Sequence, residues 1–260
     1  MKNVCQRAEI AHDSVHSMAD LLDRLIPVVD KTISALAKTK FRIDPIGGER
    51  FSRQTSIISS AYKRHGQILE KALRERLSDS QYFTVWHDPE FNVSNIADRA
   101  IQGRNSDIPE SPLIELPYGD PGRKIQIDAF VFDSRINSLR SYEVKRGNGH
   151  FDAGKKRSLL RDTLCTQALL RSYGEKRGHS RSIVEARVIC YFGIKALPDP
   201  LSMTGDELDD HFVFPVYAQV ERVNAYFKEQ LYELLRSLDG EADIAGYCPE
   251  CPRRGQALVH

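Results

Sequence analysis

Asp128 and the tripeptide Glu143-Val144-Lys145 are the residues of this chain best equipped for chemistry. Residues 124–133 (KIQIDAFVFD) alternate as a strand does. Ile125, Ile127, Ala129 and Val131 take one face, and Gln126, Asp128, Phe130 and Phe132 the other. After a short Asp-Ser-Arg-Ile-Asn turn, residues 139–146 (LRSYEVKR) form a second strand with Ser141, Glu143 and Lys145 on one face. Paired as a hairpin, the two strands bring Asp128, Glu143 and Lys145 to one face near the strand ends. Two carboxylates there can hold a divalent cation through oxygen, and an ammonium beside them can orient or activate a water. That is equipment for hydrolysing a phosphodiester. The tripeptide is weak evidence alone: an acid-x-Lys pattern is expected about twice by chance in such a composition. It occurs once, at Glu143, and its surroundings give it weight.

Those surroundings are the elements that must position the site. Residues 54–78 read as a helix, with Ile57, Ala61, Ile68, Leu69, Ala72, Leu73 and Leu77 as an apolar stripe. Residues 81–87 read as a strand, followed by the two strands above. A helix is expected over about 153–173, with Leu159, Leu160, Leu164, Ala168 and Leu169 on its apolar side. Residues 186–194 and 211–217 read as further strands, and 219–238 as a closing helix.

In this order of helix, three strands, helix and strand, with Asp on the second strand and Glu-x-Lys on the third, the chain resembles the PD-(D/E)xK nuclease superfamily. The resemblance spans residues 54–238, but its specific part is Asp128, Glu143 and Lys145. It implies an α/β fold: a restriction-endonuclease-like core, a mixed sheet flanked by helices, here with an N-terminal helical addition. It also implies that Asp128 and Glu143 ligate Mg²⁺, for which Mn²⁺ is a possible substitute, with the Val144 carbonyl as a further ligand. Lys145 would contact the scissile phosphate or the attacking water. Many members add a glutamate from the first core helix; Glu70 is the first candidate here and Glu75 the second. Ile127 stands where the family's name has proline.

The segment after the tripeptide extends the reading toward nucleic acid. Arg146-Gly147-Asn148-Gly149-His150 is a turn signal whose glycines permit close approach of the backbone to a ligand. Residues 145–181 hold ten basic side chains against three acids. Arg146, Asn148, His150, Lys155, Lys156 and Arg157 are the candidate DNA contacts, and such contacts position without reading sequence. Gln167 is a further, weaker candidate, because some related nucleases carry a helix Gln in a Gln-x-x-x-Tyr motif and Tyr173 comes too late for that spacing.

Composition sets outer limits. With 260 residues, 41% apolar and 28% charged, the chain has the makeup of a compact globular protein. A net charge of +1 excludes a generally basic coating protein, and residues 199–250 carry twelve acids against three basic residues. No apolar run approaches a membrane span, and five scattered cysteines fit a reducing compartment, so a cytoplasmic location is expected. Cys248-Pro-Glu-Cys251 has a zinc-like spacing without a second pair, and a tail with two thiols is the default reading. The chain has no Gly-x-x-x-x-Gly-Lys-Ser/Thr, Gly-x-Ser-x-Gly or His-Glu-x-x-His motif.

Three regions are expected: 1–53, an N-terminal helical region and linker; 54–240, the nuclease core; and 241–260, a C-terminal tail. In the first, Val15, Met18, Leu22, Leu25, Val29 and Leu36 follow a repeat near 3.5 residues, with Pro27 expected to kink or split the helix. It packs on the core or forms a dimer contact or target-recognition arm. The Pro-rich stretch 88–123 enters the second core strand just before Asp128 and could reach a DNA groove. The resemblance thus leads to a Mg²⁺-dependent endodeoxyribonuclease acting on double-stranded DNA. In chain size and in its long helical N-terminal addition the chain looks most like a type II restriction endonuclease, and that resemblance implies a sequence-specific homodimer. A structure-selective repair or phage nuclease and a catalytically dormant DNA-binding protein are the alternatives.

Overall fold

The computed structural model describes residues 20–102, 114–147, 149–179 and 183–245. In chain order the elements are α1 (Leu21–Ala37), α2 (Gly48–Ser78), β1 (Phe83–Ser94), α3 (Asn95–Ile101), β2 (Gly122–Asp133) and β3 (Ser138–Lys145). They continue with α4 (Ala153–Lys176), β4 (Ile183–Cys190), β5 (Ser202–Thr204), α5 (Leu208–Phe212) and α6 (Tyr217–Ala245).

The strands form one mixed sheet in the order β1-β2-β3-β4-β5. β1, β2 and β3 are antiparallel neighbours, whereas β3, β4 and β5 run parallel. The β2–β3 hairpin closes because Asp133 accepts the Arg135 amide at 2.9 Å and Asn137 adopts a φ of 50°, a conformation Asn tolerates. A parallel return from β3 to β4 needs a crossover, and α4 supplies it. Helices cover both faces of the sheet. Ala129, Val131, Tyr142 and Val144 pack against α1, α2, α5 and α6 in one core, while Ile127, Phe130, Leu139 and Val188 pack against α3 and α4 in the other.

The mixed sheet flanked by helices is as expected, and several local expectations need correction. Helix α2 begins at Gly48, not near 54, because Asp44 accepts the Ile46 and Gly47 amides at 2.9 Å and sets its first turn. Helix α1 continues through Pro27, with Leu21, Leu25, Val29 and Leu36 buried on the core; Val15 and Met18 lie outside the described residues. The expected strand at 211–217 is absent. Leu208, Phe212, Val216 and Val220 are buried at helical spacing, and Val213 turns left-handed at φ 50°. Asp209 then accepts the Val216 and Tyr217 amides at 2.6 and 2.7 Å, which starts α6. The fifth strand is Ser202–Thr204. Gly147 serves the fold: its φ is 68°, and a Cβ there would stand 2.8 Å from the Cys190 carbonyl carbon.

Gly66, in the middle of α2, has no such need, since a Cβ built on it meets nothing within 4 Å. Gly66→Ala is therefore expected to stabilise the fold by roughly 0.5–1 kcal/mol, the helix-propensity difference. Urea unfolding measures it; a loss of stability would mean that the open space is filled in solution.

Candidate active site

The expected alternation along β2 breaks at Asp128. Ile127 and Phe130 share the α4 core, while Ala129 and Val131 face the other, and residues 127 to 131 are all buried. The β2–β3 pairing runs from Asp133↔Ser138 to Ala129↔Tyr142. Beyond it the Asp128 side chain takes over. Its Oδ2 accepts the Val144 backbone N–H at 2.8 Å, and its Oδ1 accepts Gln126 Nε2 at 2.9 Å. On α2, Arg74 donates to the Asp128 carbonyl at 2.7 Å. The carboxylate thus fills the place of a ladder acceptor where the strands part.

Glu143 and Lys145 form an ion pair at that point. Glu70 approaches from α2, close enough for its charge to act on Glu143 and Lys145. Burial, then the Asp128 charge, pushes Glu70 up to about 7. Burial and the charge of Asp128, with a contribution from Glu70, push Glu143 up to about 7 against the pull of Lys145. Burial alone would lower the Lys145 ammonium, but the Glu143 charge and then Asp128 and Glu70 outweigh it and hold it above its ordinary value. The charges of three carboxyls and one ammonium therefore act on one another at this corner of the sheet. Beside it lies a cavity of about 320 Å³ between β2, β3, β4 and α4, lined by Glu143, Ser141, Ile125, Ile127, Thr163 and Thr166 among others.

What this corner could hold follows from its donors. All are oxygens, which suits a hard cation, and crowded carboxyls with raised pKa gain from a positive charge placed between them. Among the described residues no three His, Cys, Asp or Glu side chains stand together as a ready-made metal shell. Mg²⁺ keeps several waters and is commonly held through one or two carboxylates, and Asp128 and Glu143 are the two that would serve it here. Lys145 would then have to yield part of its contact with Glu143.

The other candidate residues divide. His150, Lys155, Lys156 and Arg157 are exposed around the start of α4, where Asp152 caps the helix by accepting the Lys155 amide at 2.8 Å. Arg146 is half-buried against Tyr62. Asn148 lies outside the described residues, as do Cys248 and Cys251. The basic stretch 145–181 is less free than its composition suggests, for Arg161 pairs with Asp98 and Arg171 with Glu115. Gln126 and Arg74, which brace Asp128, were not foreseen; Gln126, two residues before Asp128 on the same strand, was the available signal.

Gln167 is buried. Its Nε2 donates to the Val184 carbonyl at 2.9 Å and its Oε1 accepts the Ala186 amide at 2.5 Å, so it clamps β4 and is buried away from any phosphate. Gln167→Ala strands those main-chain groups and is expected to cost roughly 2–3 kcal/mol in urea unfolding. Unchanged stability would sink the clamp.

No protein-family model matches the chain, and comparisons with curated proteins and with solved structures return no match. No helix among the described residues is long and apolar enough to cross a membrane.

Proposed function

We propose that the protein is a Mg²⁺-dependent endodeoxyribonuclease with a restriction-endonuclease-like core. The observation that carries this reading is the convergence of Glu70, Asp128, Glu143 and Lys145 where β2 and β3 separate, within the order α2-β1-β2-β3-α4-β4. Asp128 and Glu143 would hold the cation, with Glu70 adding negative charge beside them. Once bound, Mg²⁺ neutralises charge on the phosphate and leaving oxygen and makes a bound water more acidic. Lys145 orients the attacking water or a phosphate oxygen. Water attacks phosphorus in line and leaves 5′-phosphate and 3′-hydroxyl ends. Arg146, Lys155, Lys156 and Arg157 offer positive charge to the strand. Mn²⁺ has the ligand preference to substitute.

The finer reading is a sequence-specific restriction enzyme whose homodimer cuts one strand of duplex DNA per subunit. A competing reading, a dormant DNA-binding scaffold, draws on the Lys145–Glu143 ion pair, which partly satisfies the site without metal. The test is incubation of unmodified plasmid and phage DNA with the purified protein and Mg²⁺, with EDTA and Lys145→Ala as controls. Discrete fragments lost in both controls support the restriction reading. Cuts confined to branches or ends support structure selectivity. No cleavage of any DNA under any divalent metal would leave the dormant scaffold.

A further inference from the structure

Arg146 follows Lys145 directly, and strand alternation sends it toward the opposite face. Phe192 donates its amide to the Arg146 carbonyl at 2.7 Å, which fixes the main chain there. The guanidinium lies 4.4 Å from the centroid of the Tyr62 ring on α2 and 5.5 Å from that of Phe192. Its Nε is buried and meets no acceptor. Among the described residues no carboxylate pairs with it, whereas Arg24, Arg123, Arg135, Arg161 and Arg171 each engage one. His65, packed on Phe192, is no rival cation: burial and then the Arg146 charge push it down to about 4. The result is a cation fixed between rings, with its terminal amino groups unclaimed.

The rings remain open as well. Tyr62 is 48% exposed and Phe192 41%. Tyr62, Gly66 and Glu70 lie four residues apart on one row of α2, and Gly66 leaves open space between the other two. Tyr62 and Glu70 are about 12 Å apart along the helix axis. The space at Gly66 is therefore open midway along this row, between Glu70 and the Arg146–Tyr62 seat.

We propose that this seat binds an unpaired nucleotide flanking the cut site, with Arg146 on its phosphate and the open face of Tyr62 stacked on its base. A base stacked on Tyr62 has left its duplex neighbours, so the seat prefers DNA with a single-stranded segment, a frayed end or a branch, and of the two nuclease readings it favours structure selectivity over restriction of continuous duplex. A contact made to phosphate alone would need no exposed ring beside the arginine. Cationic groups combined with stacking platforms are the usual means of holding single strands. The proposal rests on the nuclease reading for which bond is cut; binding at the seat does not require it.

The experiment is fluorescence anisotropy in EDTA with labelled single-stranded DNA and a labelled duplex bearing an overhang, and with a relaxed, covalently closed circular duplex as the fully paired competitor. The first two are expected to bind more tightly than the closed duplex. Tyr62→Ala should weaken them by about tenfold or more and leave the closed duplex unchanged, whereas Arg146→Ala should weaken them by more than it weakens the closed duplex. Tyr62→Phe keeps the ring and should bind as the wild type does. Should Arg146→Ala fail to fold, Gly66→Leu fills the open space at a half-buried position between Tyr62 and Glu70 and should weaken the same DNAs. Equal affinity for closed duplex and single strand, or an unaffected Tyr62→Ala, overturns the seat. Mg²⁺-dependent cleavage of the same DNAs is scored separately. Cleavage without any preference for unpaired DNA would leave the nuclease and remove the seat, whereas the preference without cleavage would do the reverse.

Discussion

Asp128→Ala is expected to lose about 10³-fold in Mg²⁺-dependent cleavage and, independently, about 1–3 kcal/mol of stability. The two losses have different causes. Activity goes with the carboxylate charge proposed to hold the cation. Stability goes with the acceptor for the buried Val144 amide, which the side chain meets at 2.8 Å. Asp128→Asn separates them. Its carboxamide oxygen can still accept from Val144, and Gln126 can turn its own amide to suit the new donor. This variant should unfold near the wild-type urea midpoint yet remain as inactive as the alanine variant. Substantial cleavage by Asp128→Asn would remove Asp128 from the proposed metal ligands. An alanine variant of unchanged stability would mean that the strand junction closes some other way.

A second large effect is expected from pH. Glu70 and Glu143 ordinarily titrate near 4.5 and are pushed up to about 7, so the folded chain binds their protons more tightly than the unfolded chain does. The stability this contributes is fully present below 4.5 and is lost as pH rises through about 7. In EDTA the melting temperature should therefore fall between mildly acidic and mildly basic buffer, and Glu143→Gln should flatten the slope. Mg²⁺ needs the ionised carboxylates, so the trend reverses when it is added. Its affinity should improve by up to about tenfold per pH unit for each proton displaced, until the carboxyls are ionised. Equal Mg²⁺ stabilisation on both sides of neutrality would show that these carboxyls are not the ligands.

The parts of the fold legible in the sequence were those with local periodicity. The stripe from Ile57 to Leu77 marked α2, and that from Leu159 to Leu169 marked α4. Two short strands around one turn brought Asp128 near Glu143, and Glu70, at the border of its helix's apolar stripe, lies within electrostatic reach of Glu143. What depended on distant partners was not legible. His211 to Tyr217 is apolar enough for a strand, but its burial follows the helical step from Leu208 to Val220. The basic excess after Glu143 is partly neutralised by Asp98 and Glu115, far away in sequence. Gln167 and Gly147 looked like ligand contacts because nothing local announces that β4 and Cys190 will need them.

The packing of α1 and α6 on α2 also bears on when activity can arise during synthesis. Asp30 accepts a hydrogen bond from Tyr226 at 2.8 Å, and Asp20 pairs with Arg222, so the earliest and latest described helices close on each other. Between them they bury the apolar side of α2, the helix that carries Glu70. While a ribosome is still making α6, that side of α2 has no cover, and such long-range contacts form late. A chain released before α6 should therefore expose α2 to proteases and lack a settled position for Glu70. For an enzyme proposed to cut DNA, this ties the onset of activity to the completion of α6.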